Sequence, residues 1–153
     1  MTTDERYDSW WPRISPNRQQ ILFYRTTAGT GDNYTQASLW LMHADGTQAR
    51  ELIASQANGW TIQGHAQWSP DGNTLVMCGA ADSTVHVFVT DADGQNPVQK
   101  SLDGTWNCDP AFSPDGTRII FYRCETAGPC GDLATKPDLE IYTMPAVASV
   151  AGP

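Results

Sequence analysis

The sequence predicts an all-β protein made of repeated four-stranded antiparallel sheets, and three observations lead to this prediction. A turn motif that begins with Ser-Pro occurs three times, at Ser15–Arg18, Ser69–Gly72 and Ser113–Gly116. Its prolines, at positions 16, 70 and 114, are 54 and 44 residues apart, and a short apolar run follows each copy. Pro and Gly interrupt every segment before a helix of ordinary length can form.

The chemistry of the motif explains why it joins two strands. Proline presets φ for the first corner of a tight turn, Asp can bond its own backbone, and Gly accepts positive φ. Two further strands follow each hairpin, and in the first two repeats an Ala-Asp-Gly turn separates them. Four strands per repeat, at a period of roughly 40 to 50 residues, are typical of a β-propeller blade. We expect a single domain over residues 1–153, with blades at about 9–53, 62–102 and 106–150.

The composition and net charge of the chain indicate which kinds of partner to expect. The chain has 153 residues and a formal net charge of −8, with a pI near 4.5. An acidic surface repels phosphate backbones and anionic lipids, so nucleic acid is not an expected partner. No apolar run reaches the roughly 18 residues of a membrane-spanning helix, which argues against membrane insertion. The polar segment Met1–Asp8 lacks the apolar stretch of a secretory signal.

Of the four cysteines, Cys124 and Cys130 lie close together in a segment that reads as a loop. A disulfide between them would staple that loop and imply an oxidising compartment, and two free thiols are the alternative. Zinc ligation by this pair is not expected, because two thiolates without a nearby Cys or His do not complete a tetrahedral set.

The Ser-Pro-Asp-Gly turn, the Ile- and Phe-rich strand after it and the later strand with Asp-Gly resemble the TolB-like propeller repeat, also called the WD-like repeat. The resemblance extends from Ser9 to Met144. The first copy departs from it at Asn17–Arg18, and the third lacks the late Asp-Gly and a clear last strand. The resemblance implies a binding module in the bacterial periplasm or another extracytoplasmic setting.

Blade geometry divides the connections between two faces. The short Asp-Gly turns lie on one face, here called the bottom, and the loops 26–37 and 124–137 and the links between blades lie on the top. The blade links carry Trp60 and Trp106. Long, aromatic-rich connections on a rigid scaffold are where binding residues usually occur, so we expect ligand contacts on the top face.

Three residues share one position of the repeat but differ in chemistry. Trp11, His65 and Asp109 each stand five residues before a motif proline, at the expected entry of an inner strand. They should ring the mouth of the central channel. An aromatic ring, an imidazole and a carboxylate can stack on a ligand, hold a polar group or bind a divalent metal. The alternative is that His65 and Asp109 merely form hydrogen bonds with the backbone of neighbouring blades.

Arg25 and Arg123 also occupy matching places, because Ile-Leu-Phe-Tyr-Arg and Ile-Ile-Phe-Tyr-Arg end the second strands of blades one and three. They predict an anion-binding pair on the top rim. The alternative is shared ancestry of the repeats, with each Arg paired to Asp32 or Asp132. Tyr24 and Tyr122 are expected to be packing residues, and Cys78 holds their place in blade two.

The favoured function is a non-catalytic module that recognises a protein segment or a small polar ligand on its top face. One alternative is a metal-dependent propeller of the polysaccharide lyase kind, for which a single histidine at the channel mouth is too few. The other is a fragment of a larger propeller enzyme of the prolyl oligopeptidase type. No Gly-x-Ser-x-Gly motif of a hydrolase occurs in these 153 residues.

Three blades make an open arc rather than a closed ring. The apolar faces of its two end sheets would be exposed to water, and such faces normally mark an interface. We therefore expect a homodimer in which two arcs complete one propeller ring.

Overall fold

The computed structural model describes residues 5–29, 36–80, 84–102, 104–124 and 139–146. In these ranges the regular structure is β-strand except for a single 3₁₀ turn, Ala57–Gly59. The prediction of an all-β fold built from propeller blades is confirmed.

The strands form three antiparallel sheets that follow one another along the chain. Within each sheet, consecutive strands are neighbours, which is the meander expected of a blade. Blade one contains β1 (Tyr7–Ile14), β2 (Gln20–Thr27), β3 (Ser38–His43) and β4 (Arg50–Ile53). Blade two contains β5 (Ile62–Trp68), β6 (Thr74–Ala80), β7 (His86–Asp91) and β8 (Val98–Gln99). The described part of blade three contains β9 (Asn107–Phe112), β10 (Arg118–Cys124) and β11 (Leu139–Pro145).

The outer strands are shorter than the sequence predicts. The run after the first Ala-Asp-Gly turn predicts a last strand over Gln48–Ile53 in blade one, but Gln48 has φ of 55° and the strand is Arg50–Ile53. In blade two the corresponding run predicts a last strand over Pro97–Leu102, but the strand covers only Val98–Gln99, after Asn96 with φ of 53°. A left-handed residue cannot continue an extended ladder, so pairing starts after it.

The three Ser-Pro turns share one hydrogen-bond network despite their different sequences. In blade three the Ser113 hydroxyl donates to Asp115 Oδ1 at 2.6 Å, and the backbone N–H of Thr117 donates to the same oxygen at 3.0 Å. In blade one Asn17 replaces the aspartate, and its amide oxygen accepts the same two bonds at 2.7 Å and 3.0 Å. The departure of the first copy from the motif therefore leaves the turn intact.

The core lies between the sheets. Leu22, Tyr24 and Leu39 of blade one pack against Leu75 and Met77 of blade two. Between blades two and three a second apolar cluster joins the buried residues Val76, Val87, Ile119 and Phe121. Because successive residues of a strand point to opposite faces, β6 contributes to both contacts, with Leu75 and Met77 towards blade one and Val76 towards blade three. This stacking fixes the three inner strands relative to one another.

Candidate functional site

The inner strand of every blade contains a bulge at the position singled out by the repeat. Trp11, His65 and Asp109 have φ of 51°, 56° and 48°, and the strand pairing shifts register at each of these places. The three residues were expected at strand entries, but each lies within its strand. Left-handed backbone in non-glycine residues is uncommon, and it clusters at functional sites.

The residue after each bulge residue shows how the strand tolerates the irregularity. Proline follows in two blades, as Pro12 and Pro110, and it has no N–H to leave unpaired. Blade two has Ala66 instead, which is buried. Its N–H donates to the hydroxyl of Tyr24 of blade one at 3.3 Å. The residue after the bulge therefore has no unpaired N–H in any of the three blades. In two blades it is proline, which has no N–H, and in blade two its N–H is hydrogen-bonded.

The bulges bring the three predicted residues into one chain of contacts across the blades. The rings of Trp11 and His65 have centroids 4.0 Å apart and are tilted by 43°. His65 Nδ1 forms an ion-pair contact with Asp109 Oδ1. The side chains of His65 and Asp109 are 23% and 53% exposed, so the group is open to solvent on the Asp109 side. This geometry differs from the alternative interpretation, in which His65 and Asp109 form hydrogen bonds only with the backbone of neighbouring blades.

A cavity of about 180 Å³ lies beside His65, between blades two and three. Trp106, predicted as a ligand contact, lines it together with Tyr122 and Val85. Cys78 and Cys108 form a disulfide that also lines the cavity. Tyr122 was expected to be a packing residue, and it is half-buried at the cavity wall.

The sequence prediction missed the Cys78–Cys108 pair, although a signal for it was present. Cys78 pairs with Gly64 in blade two, and Tyr122 pairs with Cys108 in blade three. When the repeats are aligned, Cys78 lies on the second strand of blade two and Cys108 lies on the first strand of blade three. The two cysteines come together only when the sheets of these blades pack against each other. Cys124 is also disulfide-bonded. Its predicted partner, Cys130, lies outside the described residues.

The two arginines are held by aromatic rings and do not stand free on a rim. Arg25 is only 7% exposed. Its guanidinium carbon lies 4.5 Å from the centre of the Trp40 ring and 4.9 Å from that of Tyr7. Its Nε donates to Ser9 Oγ at 3.3 Å. This burial corrects the expectation of an exposed anion-binding residue, because the cation is already covered.

Arg123 has an equivalent environment in blade three. Its guanidinium carbon lies 4.0 Å from the centre of the Tyr142 ring, and its Nε donates to Asn107 Oδ1 at 3.2 Å. The two arginines do share a structural position, as the repeat predicts. Asp32 and Asp132, their predicted partners in the alternative interpretation, lie outside the described residues, as do most of the loops at 26–37 and 124–137.

Trp60 is a core residue, which corrects its prediction as a ligand contact. It is 3% exposed, and its ring centre lies 4.7 Å from that of Phe88. A Cβ added at Gly79 would come within 2.9 Å of the indole. Gly79 occupies the strand position at which the other two blades have arginine, so its missing side chain leaves the space that the indole fills.

Comparison with known proteins agrees with the fold and leaves the function open. No known family profile matches the chain. A TolB protein of Agrobacterium tumefaciens superposes with a TM-score of 0.69 at 17% identity, over 90% of this chain and 46% of that one. TolB of Acinetobacter baumannii gives a TM-score of 0.62 at 16% identity, over 88% of this chain and 29% of that one. This chain has the TolB-like β-propeller fold.

The TolB-like fold is shared with enzymes. An oligogalacturonate lyase in complex with manganese superposes with a TM-score of 0.59 at 11% identity, over 77% of this chain and 36% of the lyase. The chain therefore spans less than half the length of each of these propellers. Since one fold can host unrelated functions, only the site can indicate what this TolB-like chain does. No helix in the described ranges has the length and hydropathy needed to cross a membrane.

Proposed function

We propose that this chain is a non-catalytic binding module that takes a polar ligand at the Trp11–His65–Asp109 group. The continuous contact from ring to imidazole to carboxylate is the observation that carries the proposal. A site of this kind combines an apolar stacking surface with a few convergent polar groups, which is the usual composition of a ligand site.

The chemistry of the group favours a ligand that carries a hydrogen-bond donor or a positive charge next to an apolar part. Asp109, the most exposed member, is a carboxylate. The whole chain has a formal net charge of −8, which repels anionic ligands. Trp11 offers an aromatic face and Trp106 adds a second indole at the cavity beside His65. Peptide segments with basic or amide side chains and small amines meet these requirements.

The left-handed bulges support a site rather than ordinary strand packing. Three non-glycine residues are held in an unfavourable backbone conformation at one repeat position. Elsewhere in the repeat, the bottom turns keep nearly the same chemistry in every blade. Strained backbone clusters at functional sites, and this repeat position carries a different side chain in each blade, so it can present three different groups to a ligand.

We also propose that the protein works outside the cytoplasm. The Cys78–Cys108 disulfide and the disulfide-bonded Cys124 support this proposal, because such bonds persist in oxidising compartments. The TolB-like fold is compatible with a periplasmic setting. Measuring the redox state of all four cysteines by alkylation in cells would test it, and fully reduced thiols in vivo would contradict it.

A binding screen tests the proposed function. The probes are an array of short synthetic peptides and a panel of small amines, neutral sugars and sugar acids. NMR titration would follow the indole N–H signals, with the Trp11 signal assigned from a Trp11→Phe variant. We expect peptides or amines to shift the Trp11 signal. Sugar acids should bind more weakly, because of the acidic surface.

Variants give the quantitative test by calorimetric titration with the best probe. Asp109→Ala and His65→Ala should each weaken binding by about 1 kcal/mol or more, which is the scale of losing one polar contact. Asp93→Ala is the matched control, since Asp93 is an acidic residue of a bottom turn and accepts a bond from the backbone of Gln95. Unchanged affinity in both site variants, or shifts confined to other indoles, would contradict the proposal.

A further inference from the structure

A cluster of metal-ligating side chains lies next to the binding group, at the contact between blades two and three. One ligand atom each from His65, Cys78 and Cys108 lies within 4.8 Å of the other two. The three residues come from β5, β6 and β9, so the cluster forms only when the two blades pack together. Cys78 and Cys108 are buried, and His65 is half-buried.

The composition of the cluster suits a borderline-soft divalent metal. Two thiolates and an imidazole are ligands that zinc prefers, with bonds of about 2.3 Å to sulfur and 2.0 Å to nitrogen. Tetrahedral bonds of that length place two sulfur atoms about 3.7 Å apart. The sulfurs of Cys78 and Cys108 are 2.05 Å apart in the disulfide, so they must separate after reduction before both can ligate the metal. In the disulfide the sulfurs are not thiolates, and metal affinity requires that they become so.

Two neighbours complete the arrangement that a metal centre requires. Asp109 contacts Nδ1 of His65, and a carboxylate on one ring nitrogen orients the other for metal ligation. The cavity of about 180 Å³ borders all three ligating residues and has room for a water molecule or a small ligand as a fourth group. Zinc sites with three protein ligands typically hold a water or substrate molecule at the fourth position, whereas structural zinc sites have four protein ligands.

We propose that reduction of the Cys78–Cys108 disulfide opens a zinc site made of His65, Cys78 and Cys108, with Asp109 as the residue that positions the imidazole. A dithiol supplies the reduction: it gives up two electrons and two protons, the Cys78–Cys108 bond breaks, and the dithiol becomes a disulfide. Binding of the metal then releases the two thiol protons to solvent. Oxidised chain keeps the disulfide and does not bind metal, so the site responds to redox conditions.

Cobalt titration tests the site directly, because Co²⁺ bound to thiolates gives an intense near-ultraviolet charge-transfer band. The experiment uses the full chain with Cys124 and Cys130 both replaced by Ser, which removes the other thiols. We expect one equivalent of Co²⁺ to produce the band after dithiol treatment. Added Zn²⁺ should displace the Co²⁺ and abolish the band. The oxidised chain should give no band. No band in the reduced chain would overturn the proposal.

Further variants separate the roles of the residues. Cys78→Ser with Cys108→Ser should abolish the band, and His65→Ala should weaken metal binding by at least about tenfold. Asp109→Asn should weaken it by about 10- to 100-fold, the usual effect of losing the partner of a ligating histidine. Asp93→Asn is the control and should bind as the parent does. A band that survives the double Cys variant would overturn the assignment.

A second measurement does not depend on the folding of any variant. In the reduced parent chain, stoichiometric Zn²⁺ should protect Cys78 and Cys108 from alkylation, and mass spectrometry would identify the protected residues. Equal alkylation with and without Zn²⁺ would overturn the proposal. The proposed ligand-binding function is assayed on the oxidised chain without metal, so either proposal can fail without the other.

Discussion

At the scale of single residues, the aspartates of the bottom turns couple folding to pH. The hydroxyl of Ser113 and the N–H and hydroxyl of Thr117 donate to Asp115 Oδ1. These bonds stabilise the ionised carboxylate and lower the pKa of Asp115 to about 2, from an ordinary value of 3.8. Hydrogen bonds to the same kind of acceptor lower the pKa values of Asp71 and Asp45.

The sign of the effect follows from linkage. A folded-state pKa below that of the unfolded chain means that the unfolded state binds the proton more readily. The stabilisation by Asp115 is fully present above about pH 4 and is lost as the pH falls towards about 2. Asp115→Asn should therefore be less stable than the parent at neutral pH, with a difference that shrinks through this window. Denaturant unfolding at a series of pH values would measure it.

Asn17 provides the reciprocal control, because it fills the same position in blade one with a neutral amide. Asn17→Asp should gain the acid-sensitive stability that Asp115→Asn loses. A parent and an Asp115→Asn variant whose stabilities differ by a constant amount from neutral pH to about pH 2 would contradict the argument.

At the scale of strands, the Tyr24 hydroxyl is the one acceptor described for the Ala66 N–H at the blade-two bulge. Tyr24 is 2% exposed, and burial raises its pKa. Tyr24→Phe leaves the buried N–H of Ala66 without an acceptor, which should cost about 1 to 3 kcal/mol of unfolding free energy. Chemical denaturation of the two proteins would measure the loss.

A double-mutant cycle with Ala66→Pro separates the hydrogen bond from the packing of the ring. Proline occupies the equivalent position in the other two blades, as Pro12 and Pro110, so the bulge accommodates it. In the Ala66→Pro background there is no N–H to satisfy, and Tyr24→Phe should cost less than about 0.5 kcal/mol. An equal cost in both backgrounds would show that the hydroxyl does not serve this donor.

At the scale of the whole molecule, the two end sheets of the arc differ. The expectation that both end faces are exposed is wrong for blade one, because Phe23 on its outward face is 3% exposed and the guanidinium of Arg25 lies over the Phe23 ring. The outward face of blade three is open. Ile141 and Val87 occupy the same position in the third strand of their blades. Ile141 is nevertheless 73% exposed, whereas Val87 is fully buried.

This open face motivates the prediction of a homodimer. Another blade against Ile120 and Ile141 would bury them as blade three buries Val76 and Val87. We expect light scattering at micromolar concentration to give twice the mass of the chain. Ile120→Lys with Ile141→Lys should give a folded monomer, because both side chains are exposed within one chain, and its melting temperature should no longer depend on protein concentration.

Val98→Lys is the matched control, since Val98 is 57% exposed but lies on the outermost strand of blade two. It should leave the mass unchanged. A parent chain that is monomeric at every concentration tested would contradict the prediction of a partner-completed ring.

The sequence by itself determined the local structure: three hairpins set by Ser-Pro turns, the order of the strands, and the repeat position shared by Trp11, His65 and Asp109. These features depend on backbone preferences over a few residues, so the chain records them directly. The tertiary structure decided which side chains meet. It placed Trp60 and Arg25 in covered positions, joined Cys78 to Cys108, and brought His65 between Trp11 and Asp109. Such contacts depend on the bulges and on how whole sheets stack, and residues from different blades have no short-range signal that records their distance.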